Sequence, residues 1–353
     1  MKKSLLALAV LGAFAGVASA QSSVTLYGTV DLNGKYVKND GSARRVSLSQ
    51  DGINSSQLGF KGIEDLGGGL KAGFVLLAGV NADTGSANAQ FWNRRATVSL
   101  MGGFGEVRLG RDYTPSFWNN TIFDAFGTNG LGDSSHVLQM PTASFVRANN
   151  SIGYFLPSGI GGVYGQFMAA ASEGASGPSL YGTTVGANSG RYLGGRIGFA
   201  AGPFDVAGAY ATQRMDAIAG KPSQKTLNIG GSYDLGVVKL MGYFDRDTLS
   251  YGAVDNKENR FSLSAVVPVG QGEIHVGGDR SRLTTATLRN TVSQYKVGYV
   301  YNLSKRTAVY TTYSRLSNGD ASRLSVAGGT AQTAAPIAGG KSSGAEFGLR
   351  TFF

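Results

Sequence analysis

The sequence contains no cysteine and only two histidines, His136 and His275. These absences exclude a disulfide framework and a thiolate zinc site, and they nearly exclude a metal centre with several histidine ligands. After residue 20 no window offers about 18 consecutive apolar residues, the length that a membrane-spanning helix needs. A helical membrane protein is therefore excluded, whereas a globular protein and a membrane barrel of strands remain open.

The N-terminus is organised like an export signal. Two lysines precede an apolar stretch at residues 5–17, and a small-residue Ala-Ser-Ala cleavage site follows at 18–20. A transmembrane anchor is the alternative, but the stretch is short and its two glycines weaken it as a helix. We therefore expect residues 1–20 to be a cleaved signal peptide and residues 21–353 to form the mature domain.

Alternation of apolar and polar residues dominates the rest of the chain. In the first such segment Val24, Leu26 and Val30 share one face, while Thr29 and Asp31 share the other. This period of two predicts a strand with one oily face and one wet face. The same pattern recurs at residues 57–62, 70–76, 227–235, 261–267, 295–301 and 345–353.

Short turns alternate with longer polar stretches between these segments. The longer stretches lie at 37–56, 78–91, 112–146, 169–191, 211–225, 246–259, 279–292 and 315–343. The strands that they bound number sixteen, and such an arrangement is typical of a transmembrane β-barrel, which must close because backbone groups cannot stay unpaired in lipid. A soluble β-sandwich is the alternative, but aromatic residues near strand ends and Lys or Arg on the polar faces favour the barrel.

Several motifs resemble the trimeric general-diffusion porins of Gram-negative bacteria, in their β-proteobacterial branch. The matching segments are LYGTVD at 26–31, LGFKGIEDLGGGLKA at 58–72, GGFGEVRLGRDYTP at 102–115, NSIGY at 150–154, LSKRT at 303–307 and GLRTFF at 348–353. Their order and spacing cover the mature chain. The sequence departs from the family pattern at Val75 and Leu77, where polar residues are usual, and at Thr351, where histidine is common.

The resemblance implies an all-β fold, a 16-stranded antiparallel transmembrane β-barrel whose third loop, here residues 112–146, folds into the lumen and constricts the pore. It also implies a homotrimer in the bacterial outer membrane, in contact with lipid and lipopolysaccharide. The aromatic C-terminus, Phe353, is implied as the residue that the barrel-assembly machinery reads. An external position for the third loop is the alternative interpretation.

Because alternate residues of a strand point to opposite faces, the sequence predicts which charged residues face inward, and these include more cations than acids. The predicted cations are Lys61, Lys71, Arg95, Arg108, Arg147, Arg196, Lys239, Lys296 and Arg350, and the predicted acids are Asp31, Glu106, Asp205, Asp234 and Glu346. Rings of charged side chains set selectivity in wide pores, so a weak anion preference is expected. The candidate constriction and selectivity residues are Lys61, Arg95, Arg108, Arg111, Asp124, Asp133 and Arg147. Some of these arginines could instead pair with loop acids and only brace the barrel.

Other functions find little support in the sequence. Hydrolysis would need a nucleophile beside a general base, but His136 and His275 are far apart in sequence and no G-x-S-x-G segment exists. Residues 340–342 resemble the end of a phosphate loop, yet Ala335 replaces the glycine that its spacing requires. The scattered basic residues form no recognition helix or basic-aromatic groove for nucleic acid.

The expected function is passive diffusion of ions and small hydrophilic solutes, without catalysis and without a cofactor. Two rivals remain. One is a solute-specific channel for organic anions, whose flux would saturate, and the other is a plugged structural or adhesive barrel, which would carry no current.

Overall fold

The computed structural model describes residues 23–140, 146–172, 190–215, 222–327 and 335–353. The predicted signal peptide lies outside the described residues, so its cleavage stays a prediction. In the described part of the chain no helix is both long and apolar enough to cross a membrane.

Among the residues that the structure describes, strands make up nearly all of the fold, in eighteen segments. In chain order they are β1 Ser23–Asn39, β2 Arg45–Gln50, β3 Gln57–Gly67, β4 Leu70–Asn81, β5 Ser86–Ala87, β6 Arg95–Gly102, β7 Gly105–Tyr113, β8 Arg147–Phe155, β9 Val163–Ala170, β10 Tyr192–Ala201, β11 Phe204–Arg214, β12 Ser223–Asp234, β13 Lys239–Tyr251, β14 Val254–Val269, β15 Gly272–Thr284, β16 Arg289–Asn302, β17 Thr307–Ser317 and β18 Lys341–Phe352.

These segments form a closed antiparallel barrel. The two-residue β5 lies in a loop, and β2 and β3 pair with successive parts of β1, so they act as one interrupted wall strand. Strand β1 pairs with β18 on its other edge, and Gly28 and Phe353 exchange backbone hydrogen bonds of 3.0 and 3.1 Å at the seam. The prediction of a sixteen-stranded barrel is confirmed.

The alternation in sequence becomes the inside and the outside of this barrel. On β1, Val24 and Leu26 are 69% and 53% exposed on the outer face. Asp31 and Asn33, of the opposite parity, are buried on the inner face. An oily exterior around a polar interior is the reverse of a soluble globule, and it suits a barrel surrounded by lipid.

Two stretches predicted as long loops are strand instead. Strands β13 and β14 are separated only by residues 252–253, and β15 and β16 only by residues 285–288. The predictions of polar loops at 246–259 and 279–292 were therefore wrong. The physical reason is that the outer faces of these strand ends carry polar or charged side chains such as Arg246 and Arg282, so no oily outer face marks them as strand.

The described part of the third loop, residues 114–140, lies inside the barrel. It opens with helix α1, Pro115–Ile122, whose first turn is capped by the Thr114 side chain and which carries proline at its start. Two short 3₁₀ turns follow, at Gly130–Gly132 and Ser134–Val137. The helix contacts β9 to β12, and the turns contact β15 to β18, so the loop crosses the lumen from one wall to the other.

Candidate pore constriction

Helix α1 is fixed to the inner wall by amide side chains. The Asn119 Nδ2 atom donates to the Ala207 carbonyl at 3.1 Å and to the Asn228 side chain at 2.8 Å. In return, Asn228 donates to the Ser116 carbonyl at 2.9 Å. Asn119 and Asn228 are almost fully buried, so these bonds satisfy groups that would otherwise be costly to bury.

A buried ion-pair cluster fixes the middle of the third loop. Lys296 on β16 lies 3.0 Å from Asp124 of the loop and 2.9 Å from Asp279 on β15. Its ammonium also donates to the Gly132 carbonyl at 2.8 Å. The Asp124 and Lys296 side chains have no exposed surface, so Asp124 contacts the wall rather than the water of the lumen.

The distal part of the third loop is held by carboxylates of the wall. Glu346 on β18 accepts a bond from the Leu131 amide at 3.1 Å. Glu258 on β14 accepts bonds from the amides of Gln139 and Met140, both at 2.9 Å. These carboxylates serve as anchors for backbone N–H groups, and parity alone could show only that Glu346 points inward.

A second segment also enters the lumen, and the sequence did not reveal it. Between β2 and β3, residues 51–56 (the inturned segment) leave the wall. Asp31 on β1 accepts hydrogen bonds from the amides of Ile53 and Asn54, at 3.0 and 2.8 Å, and from the Tyr310 hydroxyl. Asp51 adopts a positive φ of 62° at the turn.

The inturned segment meets the third loop. The Ser55 hydroxyl donates to the Asn129 side chain at 2.9 Å, and Ile53 packs against the buried cluster of Val300, Ala308 and Tyr310. A Cβ atom at Gly130 would come within 2.1 Å of the Gly52 carbonyl oxygen, so glycine is required for this close approach. The Asp-Gly pair at residues 51–52 is a turn signal that could have located the segment.

The opposite side of the lumen carries the predicted arginines. Arg108 lies 2.8 Å from Glu106 and 2.6 Å from Asp112, and Arg95 lies 3.3 Å from Asp112. Both arginine side chains keep solvent contact, with exposed fractions of 14% and 20%. Strands β6 and β7 therefore place a partly compensated cationic row beside the water of the lumen.

Arg147 and Arg111 extend this row at the start of β8 and the end of β7. The Arg147 guanidinium lies over the Tyr113 ring at 4.5 Å and donates to its hydroxyl at 3.1 Å. Arg111 donates to the Asn93 carbonyl at 2.8 Å and to the Asn149 side chain at 2.5 Å. Its register partner on β6, Ala96, belongs to the outer face, so Arg111 reaches the rim of the barrel.

The other two predicted site residues lie apart from the arginine row. Lys61 on β3 is exposed, with its ammonium 5.4 Å from the centre of the Tyr27 ring. Asp133 caps the second 3₁₀ turn, where its side chain accepts a bond from the Ser135 amide at 2.7 Å. The structure thus groups Arg95, Arg108, Arg111 and Arg147, and it places Asp124 and Asp133 on the third loop. Their roles in selectivity stay predictions.

Charge in the lumen is compensated unevenly. The described lumen carboxylates that are held by a cation or by hydrogen-bond donors include Asp31, Asp51, Glu106, Asp112, Asp124, Asp133, Asp205, Asp245, Asp247, Glu258, Asp279 and Glu346. Within the described ranges, the lumen cations without a carboxylate at 4.0 Å or less include Lys61, Arg147, Arg196 and Arg350.

Comparison with known proteins gives a consistent result. The family described as Gram-negative porin matches residues 7–321. The chain is 38% identical over 366 residues to outer membrane porin protein 32 of Delftia acidovorans, covering 100% of both proteins. It is 30% identical to an outer membrane porin protein of Bordetella pertussis, covering 90% of this chain and 95% of that one.

Solved structures share the fold. An anion-selective porin from Comamonas acidovorans superposes with a TM-score of 0.81 at 36% identity, covering 94% of this chain and 100% of that chain. OmpT of Vibrio cholerae superposes with a TM-score of 0.70 at 11% identity, which shows the likeness of the barrel alone.

Proposed function

This chain belongs to the Gram-negative porin family, and on that premise we propose that it forms a water-filled, weakly anion-selective channel for passive diffusion across the bacterial outer membrane. Ions and small hydrophilic solutes pass through the lumen without chemical change. The third loop and the inturned segment together set the size limit, because both occupy the lumen and contact each other.

The observation that carries the anion preference is the uneven compensation of lumen charge. Several acids on the inner wall, such as Asp124, Asp245 and Asp279, are paired with buried cations, so little of their field reaches a passing ion. Arg147 keeps its charge at any relevant pH and lies beside Tyr113 rather than beside a carboxylate. The similar porin from Comamonas acidovorans bears the description anion-selective, which supports the same preference here.

The cellular setting is part of the proposal. Residues 1–20 direct export and are removed, and Phe353 is read by the barrel-assembly machinery. The barrel assembles as a homotrimer in contact with outer-membrane lipid and lipopolysaccharide. A trimer form is described for the distantly similar OmpT of Vibrio cholerae.

A planar bilayer with a KCl gradient tests this proposal. The expected record has ohmic steps in groups of three and a reversal potential that favours chloride. A flux that saturates with concentration would instead indicate a solute-specific channel for organic anions. The absence of current from folded, inserted protein would contradict the proposal.

Charge reversal in the arginine row sharpens the test. A unit charge about 8 Å from an ion is worth about 0.5 kcal/mol in water, and physiological salt reduces this roughly threefold. Charge reversal changes two unit charges and acts oppositely on the two ions, so Arg147→Glu and Arg108→Glu are each expected to lower the chloride-to-potassium permeability ratio by about threefold. Arg108→Glu has the larger effect because it also leaves Glu106 and Asp112 with less compensation.

Lys305→Glu provides the matched control, because it makes the same charge change in the exposed turn between β16 and β17. Its reversal potential is expected to equal that of the unmodified protein. If both arginine variants also left the reversal potential unmoved, the selectivity of the channel would not arise from this row.

A further inference from the structure

Two apolar residues, Val75 and Leu77 on β4, stand at positions where polar residues are usual in the family. Passive diffusion of small ions does not explain apolar side chains in a water-filled lumen. Val75 is the register partner of Lys61 on β3. Leu77 is the register partner of Arg95 on β6. The departure from the family pattern therefore lies between two cations of the inner wall.

Register and burial fix the face of the wall to which these side chains belong. Leu26 on β1 is 53% exposed on the outer face, so its neighbour Tyr27 points inward. Tyr27 is the partner of Gly59 on β3, and Gly59 is the partner of Leu77 on β4. Since register partners share a face of the sheet, all three belong to the inner wall. Val75, two positions before Leu77 on the same strand, shares that face.

A small apolar surface forms on this part of the wall because Gly59 has no side chain. A Cβ atom at Gly59 would lie 2.5 Å from the Tyr27 ring and 2.8 Å from a Leu77 methyl group. These two side chains therefore fill the space above the glycine. Leu77 is only 7% exposed, whereas Tyr27 and Val75 stay partly exposed. The Tyr27 ring and Val75 thus present apolar surface to the water of the lumen.

Lys61 adds an available positive charge to this surface. Its side chain is exposed, and its ammonium lies 5.4 Å from the centre of the Tyr27 ring. In the part of the chain that the structure describes, no carboxylate lies within 4.0 Å of this ammonium. On β6 and β7, by contrast, Arg95 and Arg108 already contact Asp112. Lys61 therefore offers a solute a charge that no acid of the wall occupies.

The spacing of this group suits a small ring that carries one carboxylate. Neighbouring strands are about 4.8 Å apart and alternate residues about 7 Å apart. Lys61 is therefore about 5 Å from Val75 and about 8 Å from Tyr27, measured between backbones. A carboxylate forms a charge-assisted hydrogen bond with an ammonium, and an aromatic ring packs edge-to-face or offset on a tyrosine ring. One small molecule can make both contacts at once.

We propose that Lys61, Tyr27 and Val75 form a weak binding site in the lumen for aromatic carboxylates. The carboxylate of the solute pairs with the Lys61 ammonium, and its ring packs against Tyr27 and Val75. Inorganic anions and short aliphatic acids use only the charge, so the site distinguishes among the anions that the channel admits. This inference rests on the proposed diffusion of anions through the lumen and adds a class of preferred solute to it.

A second inward lysine shows what a lone charge lacks. Lys239 on β13 is the partner of Val266 on β14, and its neighbour Leu240 is 45% exposed on the outer face. Within the described ranges no aromatic ring lies over the Lys239 ammonium. Lys239 therefore offers charge and an aliphatic neighbour without a ring, which makes it the matched comparison for Lys61.

Planar bilayers containing the full-length protein test the site, with potassium benzoate as the probe and potassium acetate as the comparison at pH 7.5. Benzoate is expected to reduce the chloride current at about fivefold lower concentration than acetate, the factor for roughly 40 Å² of apolar surface leaving water. Tyr27→Gln combined with Val75→Thr is expected to bring the two concentrations within about twofold of each other. Val75→Thr alone is expected to give an intermediate ratio.

Control variants separate the ring contact from the charge. Val98→Thr makes the same substitution on the outer face of β6, where Val98 is 53% exposed, and is expected to keep the full ratio. Lys61→Gln is expected to weaken the benzoate effect by about threefold, the size of an exposed ion pair. Lys239→Gln removes the same charge elsewhere on the inner wall and is expected to leave the benzoate effect unchanged.

Three outcomes would overturn the inference: equal effects of benzoate and acetate on the unmodified channel, an unchanged ratio in the Tyr27/Val75 and Val75→Thr variants, or an undiminished benzoate effect in Lys61→Gln. Heat-modified gel mobility establishes that each variant is folded. The reversal potential in a KCl gradient, measured on the same channels, reports the proposed channel function independently. A reversal potential that favours chloride without a preference for benzoate would refute the site and leave the channel function intact.

Discussion

The two sides of the lumen use the same residue types in different ways. On the side of β13 to β18 the charges are covered by the third loop, and Lys296, Asp124 and Asp279 form a cluster without solvent contact. On the side of β6 to β8, Arg95 and Arg108 also approach carboxylates but remain in contact with water. The first side fixes a loop, whereas the second side keeps its charges in contact with the water of the lumen.

This difference shows that a charged side chain on the inner face of a strand does not necessarily contact the water of the pore. Parity places Lys296 and Arg108 on the inner face alike. What separates them is whether a folded segment covers the side chain, which decides both its field in the lumen and the cost of removing it. Losing one partner of a buried pair typically costs 3–5 kcal/mol, whereas exposed pairs contribute about 0–1 kcal/mol.

The largest expected effect therefore comes from breaking the covered cluster. Lys296→Met leaves Asp124 and Asp279 buried together without a cation. We expect a loss of about 3–5 kcal/mol in the anchoring of the third loop. Single-channel recording should show higher and noisier conductance, and denaturant unfolding followed by tryptophan fluorescence should show a lower midpoint.

Two further variants make this prediction specific. Lys239→Met removes a predicted inward cation for which the described residues provide no ion pair, and it should leave both readouts near those of the unmodified protein. Adding Asp124→Asn and Asp279→Asn to Lys296→Met removes the unpaired charges and should restore much of the stability. Unchanged conductance and stability in Lys296→Met would mean that the cluster does not hold the loop.

A smaller effect is expected at the inturned segment. Ile53 is only partly buried against the Tyr310 cluster, so Ile53→Ala should cost about 2 kcal/mol, at the low end for such substitutions. The expected result is a modest rise in open-channel noise without a change in reversal potential, because no charge is altered. Val46→Ala serves as the control, since Val46 is 75% exposed on the outer wall. Equal noise in the two variants would argue against a role for residues 51–56 in the constriction.

The fold was predictable because a barrel repeats one signal many times. Alternation identified the faces, and the short turns identified the order, so the closed sixteen-stranded sheet followed from the sequence. The ends of β13 to β16 were missed because their outer faces bear charges such as Arg246 and Arg282. Outside the lipid, a strand has no need of an oily face.

The candidate site was predictable only in part. The sequence placed Arg95 and Arg108 on the inner wall, since their strands are regular. It did not show that Asp124 would meet Lys296, because that contact spans 172 positions and depends on the path of an irregular loop. The inturned segment was missed for the same reason. Its position depends on Asp31, which accepts hydrogen bonds from the amides of Ile53 and Asn54. Such contacts to backbone amides produce no periodic pattern in the sequence.

The smallest expected effect concerns pH and the covered side of the lumen. His136 lies in the third loop, and its burial there lowers its pKa below the ordinary value of 6.5. Asp133 opposes this shift in the pKa of His136, and Lys35 and Lys296 add to it. A loop released from the wall binds a proton at His136 more readily than the docked loop. Docking is therefore unaffected well above pH 6.5 and weakens as the pH falls below that value.

Each pH unit below 6.5 weakens docking by at most about 1.4 kcal/mol, so the loss down to pH 5 stays at or below about 2 kcal/mol, which is smaller than that expected for Lys296→Met. We expect brief closures or added noise to increase between pH 7.5 and 5 in the unmodified channel. His136→Gln should flatten this dependence while leaving the reversal potential at pH 7.5 unchanged. If the variant kept the full pH response, the titrating group would have to be one of the carboxylates that anchor the loop, and the covered side would then respond to acid through its ion pairs.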